Sequence, residues 1–138
     1  MSAVAERVAA GAAFMDEHDP GWWRADVEQA IDLDRLLMDQ PDRCILGQRC
    51  PLTVLAAFCH TVPDDEFLDD ERWRSYTAYA IELSGIRQTS IFGPAGLARW
   101  GDAHGFSNSD ESGGWEGYPS LTAEWKRVIL ARREAGAQ

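Results

Sequence analysis

The sequence is poor in lysine, histidine and cysteine. It holds one lysine, Lys126, beside twelve arginines, with three histidines and three cysteines. Basic groups number 13 against 23 acids, a formal net charge of −10. So little positive charge excludes a general binder of phosphate backbones, which needs a basic face. An odd, sparse set of cysteines excludes a disulfide framework and points to reduced thiols in the cytoplasm. No apolar run approaches the ~18 residues that span a bilayer. Residues 1–7, with Glu6 and Arg7 breaking the apolar run, do not read as a secretory signal. The Gly-x-Ser-x-Gly elbow, the phosphate-binding loop with its lysine and His-Glu-x-x-His are all missing, and so is any internal repeat.

What remains is ample for a core. The 138 residues are 45% apolar and 10% aromatic, which argues for one folded domain over 1–138 that needs no metal staple. The spacing of Val4, Val8, Ala12 and Met15 predicts a helix over 2–18, stopped by Asp19-Pro20-Gly21. Trp22-Trp23 should anchor the following linker. Val27, Ile31, Leu33, Leu36 and Leu37 predict a second helix over 26–38, ended before Pro41. Residues 44–47 read as a helical turn or a brief strand. Pro51 suits the first position of a helix with Leu52, Leu55, Phe58, Cys59 and Val62 as its stripe. After Pro63 and an acidic run, a strong helix carries Trp73, Tyr76, Thr77, Ala80, Ile81 and Ser84, with Gly85 as its cap. A short helix follows Pro94, through Leu97, Ala98, Trp100 and Ala103. Residues 107–117 read as a surface loop around Trp115, and Ser120 caps a last helix with Leu121, Trp125, Val128 and Ile129 buried and Arg132-Arg133 favourably placed near its end. The fold class is all-α, a bundle of five or six helices; the open alternative is one short hairpin made by 44–46 and 89–92.

The acidity is localised. Residues 1–60 and 61–86 each carry a net −5, 87–119 carry −2, and the last 19 carry +2. Solvated helix faces account for such a pattern, and so does an acidic patch that docks a basic partner. On the second reading the contact residues are Asp64, Asp65, Glu66, Asp69, Asp70 and Glu71. Trp73, Trp100 and Trp125 fall on helical stripes and belong to the core; of Trp22, Trp23 and Trp115, which flank turns, Trp115 is the contact candidate.

Cys44, Cys50, Cys59 and His60 are four possible metal or thiol ligands. The first gap is five residues, wider than structural zinc favours, and Cys59 and His60 point about 100° apart on a helix. Packed thiols and an exposed histidine are the plainer reading. Cys50, just before a helix start, is the candidate for a lowered pKa. Residues 107–114 gather oxygen ligands but lack the alternating acids and distal glutamate of a calcium loop.

The ordered set Pro20-Gly21-Trp22-Trp23, Ile31-Asp32-Leu33, Cys44-Ile45-Leu46-Gly47-Gln48, His104-Gly105-Phe106 and Leu121-Thr122 with Trp125, Val128-Ile129 and Arg132-Arg133 resembles small uncharacterised proteins of actinobacteria and their phages. The Cys-x-Leu-Gly-Gln element is its most distinctive part. Asp42 stands where that group usually has a second cysteine, and the middle acidic helix has no counterpart in it. The resemblance implies a cytosolic accessory protein, phage-encoded and acting on a host component, with no assigned activity. The expectation is a non-enzymatic protein, without cofactor, membrane or direct nucleic-acid contact, that binds a bacterial protein through an acidic face and exposed aromatics. Two alternatives stand beside it: a small metal- or thiol-dependent enzyme using the Cys/His cluster, and an acidic nucleic-acid mimic.

Overall fold

Good helix formers fill Ala3–His18, and they form α1. The computed structural model describes residues 3–61, 72–86, 97–107 and 114–136. Within them follow α2 (Ile45–Arg49), α3 (Leu52–Thr61), α4 (Arg72–Ser84), α5 (Leu97–Ala103) and α6 (Gly114–Gly136). The described residues contain no strand, and the fold is an all-α bundle. None of these helices is long and apolar enough to cross a membrane.

Helices α1 and α6 pack together, α5 lies against α1 and α4, and α4 is flanked by α2 and α3. The core between them is aromatic. Trp22 and Trp125 meet edge to face at 5.6 Å, and Phe106 stacks on Trp125 at 5.6 Å. Such pairs add about 0.5–1.5 kcal/mol each beyond their buried area. The Trp125 indole N–H donates to the Gly105 carbonyl at 2.7 Å, so its polar edge is satisfied inside the core. Val8, Met15, Leu121 and Ile129 close the same cluster, and Trp22 is fully buried, as a linker anchor should be.

The helix expected over 26–38 does not form; the segment is a string of turns. Gln29 has φ 57, a left-handed value that interrupts any helix there. Asp32 folds its carboxylate back onto the Asp34 N–H at 3.0 Å, a local bond that competes with helix. Partners distant in sequence satisfy the exposed backbone groups. Arg49 Nη1 donates to the carbonyls of Glu28 and Gln29 at 2.7 and 3.1 Å. Arg133 donates to those of Trp23 and Ile31 at 2.8 and 2.7 Å. Thr122 Oγ1 accepts the buried Met38 N–H at 2.9 Å. Ile31 and Leu36 of the expected face still reach the core from this irregular path and Met38 joins them, whereas Leu37 is exposed.

One open reading is resolved in favour of its helical alternative, and two further boundaries differ from expectation. Residues 45–49 are helical, with Cys44 as the cap of α2, so 44–46 form no strand; residues 89–92 and Pro94 lie outside the described residues. Pro51 precedes α3 and accepts its first backbone bond, from Leu55, at 3.0 Å. The last helix starts at Gly114 and runs through Pro119, so Ser120 is interior and 114–117 are not loop. A proline there forfeits one backbone bond. Gly85 ends α4 as read, with φ 72 and its N–H on the Ile81 carbonyl at 2.9 Å.

Candidate functional site

Asp64, Asp65, Glu66, Asp69, Asp70 and Glu71 lie outside the described residues. Trp115 belongs to the second position of α6, and its side chain lies outside them too, as does that of His60 on α3.

The cysteines are placed apart in character. Cys44 is fully enclosed: its thiol donates to the Pro41 carbonyl at 3.5 Å and accepts the Gly47 N–H at 3.4 Å. Burial pushes its pKa up to about 12. Cys50 was expected to ionise more easily, and the reverse holds. Burial raises it to about 11, with the Cys59 thiol a second cause, because its sulfur is turned toward the Pro51 carbonyl and away from solvent. Cys59, read as packed, is exposed on α3. Among the described residues no three His, Cys, Asp or Glu side chains are grouped to hold a metal. Native alkylation with iodoacetamide should therefore modify Cys59 and spare Cys44 and Cys50 until the chain unfolds, as read by intact mass and peptide mapping. Labelling of Cys44 at the rate of Cys59 would contradict this placement.

Beside Cys44 lies a small cleft of about 50 Å³, edged by Asp39, Trp73, Tyr76, Ser107 and Tyr118. The Ser107 hydroxyl donates to Asp102 at 2.7 Å. A carboxylate only accepts, so the one hydroxyl proton of Ser107 is spent there and Tyr76 is the donor to Ser107. Burial raises the Tyr76 pKa, which keeps its proton in place for this bond. The chain Tyr76–Ser107–Asp102 ties α4 to the end of α5. Trp73, read as core, sits at the cleft's edge and is 39% exposed.

The surface of α3 is the unusual one. Leu52–Thr61 contains no charged residue, and it is the most apolar of the four longest described helices. Apolar helices are normally buried all round. Here Leu52 is 69% exposed and Ala56, Ala57 and Cys59 are exposed with it, while Val54, Leu55 and Phe58 are half-buried. Between α3 and α4 runs an open groove of about 390 Å³, lined by Thr53, Val54, Ala57 and Phe58 on one side and Ala78, Ile81 and Glu82 on the other. Both rows follow helical spacing, so the groove runs along the two axes. The apolar stripe of α3 was legible in the sequence; what was missed is that, among the described helices, α4 packs against one side of it and leaves Leu52, Ala56 and Ala57 exposed.

The arginines near the end of α6 are turned inward. Arg132 bonds Asp16 and lies over the Trp22 ring, 5.5 Å from its centroid, and Arg133 holds the two loop carbonyls. Partial burial raises the Asp16 pKa, but hydrogen bonds from Arg132 and Trp22 with the arginine's charge outweigh it and leave it low.

No protein-family model, curated protein or solved structure matches the chain.

Proposed function

We propose that the chain is a non-enzymatic interaction protein that binds and modulates a bacterial protein, in keeping with the resemblance to accessory proteins of actinobacteria and their phages. The observation that carries this reading is α3: an uncharged helix left exposed in a chain of net charge −10. Exposed apolar surface of that kind marks interaction sites in soluble proteins. The acidic run from Asp64 to Glu71 lies between α3 and α4 in the sequence. Apolar contact would supply affinity, and the acids would steer a basic partner and set its orientation. A stoichiometric partner should be recovered from actinobacterial lysate at low and moderate salt. Changing Asp64, Asp65, Glu66, Asp69, Asp70 and Glu71 to Lys should slow its association and cut its recovery. Absence of a stoichiometric partner at both salt concentrations counts against the reading.

A further inference from the structure

We propose that the groove between α3 and α4 receives an amphipathic helix of the partner, one that places a lysine or arginine opposite Glu82. The inference rests on the interaction reading above and names the kind of partner. The two rims carry small and apolar side chains, Val54, Ala57 and Phe58 from α3 and Ala78 and Ile81 from α4. Small residues let a third backbone approach closely, and Val54, Phe58 and Ile81 offer flanks for side chains at i, i+3 and i+7. Chemistry fixes the rest of the occupant. Glu82 is the charged group among the described lining residues, and it is exposed at the groove's edge. With no cation on α3 and a net charge of −10 over the chain, a basic partner is attracted and an acidic one repelled. A second copy of this chain brings that same negative charge and is disfavoured for this reason.

The test uses two peptides of about 18 residues, with leucine on one helical face and either lysine or glutamate on the other. Binding to the full chain is followed by fluorescence anisotropy of the labelled peptide. The lysine peptide should bind about tenfold or more tightly than the glutamate peptide at low salt. Ala57→Trp fills the groove without changing charge and should remove most of that binding. Thr53→Trp does the same from the other end, and either variant suffices if its circular dichroism matches the parent. Glu82→Lys should erase the preference between the peptides, whereas Asp34→Lys, the same charge change at an exposed loop position that does not line the groove, should leave it. Binding that survives both tryptophan variants, or a preference indifferent to Glu82, overturns the proposal, as does failure of both peptides to bind. Self-association of the chain that Ala57→Trp abolishes names a second copy as occupant and overturns it too. A lysate partner still captured by Ala57→Trp would leave the interaction reading standing and remove the groove alone.

Discussion

Replacing Arg49 with methionine is expected to lower stability by about 3–5 kcal/mol, the range for stranding one member of a buried ion pair. For a chain of this length that is roughly 10–20 °C in Tm. Arg49 is 8% exposed and uses its guanidinium on three sides. Nε and Nη2 grip Asp19 in a bidentate pair at 3.0 and 2.8 Å, while Nη1 holds the carbonyls of Glu28 and Gln29. Tyr79 donates a third bond to Asp19; burial and that carboxylate both raise the phenol's pKa and keep it protonated. The group thus joins the end of α1, the turns after Trp23, the end of α2 and the middle of α4. Methionine matches the stem but leaves Asp19 charged in a dry site and two carbonyls without donors. Arg49→Lys keeps the charge, yet an ammonium cannot reproduce the fork, so it should recover less than half of the loss. The pair Arg49→Met and Asp19→Leu should be more stable than Arg49→Met alone, because the stranded carboxylate is gone. Urea unfolding monitored by circular dichroism measures all three. A loss below about 1 kcal/mol for Arg49→Met would mean that the guanidinium is solvated and the knot is absent.

The same arginine explains what the sequence could and could not disclose. Helices α1, α4 and the buried face of α6 were legible, because Val8, Ala12 and Met15, or Leu121, Trp125 and Ile129, repeat at the helical period and meet a core. Residues 26–38 carry the same kind of apolar spacing. Their backbone is nonetheless claimed by Arg49, Arg133, Thr122 and the Gln48 side chain, which accepts the Asp32 N–H at 2.7 Å. Those donors and acceptors sit 16 to 102 positions away along the chain, and no local pattern announces them. The groove was half legible for a related reason. Periodicity shows that α3 has an apolar face, but the number of neighbours covering it is a property of the assembled bundle. In Cys59 the two limits meet: it belongs to the stripe by spacing and to solvent by packing.

Gly11→Ala should destabilise the protein by about 1–3 kcal/mol net, although alanine is the better helix former by about 1 kcal/mol. Gly11 lies in mid-α1, buried, where the helix meets the turn after α5. A Cβ there would sit 1.9 Å from the His104 carbonyl oxygen and 2.9 Å from Cζ2 of Trp125. The oxygen has little room to yield. His104 is tied back to the carbonyls of Trp100 and Gly101, and Gly105 turns with φ 70 while its carbonyl receives the Trp125 indole. Relief therefore requires α1 to move away from α5 and α6 as a body, loosening Val8, Ala12 and Met15 together. Overpacking alone costs about 1–3 kcal/mol, and loss of the buried indole bond adds about 1 kcal/mol; together they exceed the propensity gain. The exposed Ala10→Gly on the same helix is the control and should cost about 1 kcal/mol by propensity. Trimming the indole with Trp125→Phe should not rescue Gly11→Ala, since the closer clash is with backbone. The comparison is made on urea midpoints at unchanged m-value. A Gly11→Ala chain that gains stability would place α1 at least an ordinary contact distance from the turn, and the aromatic core would have to be packed differently.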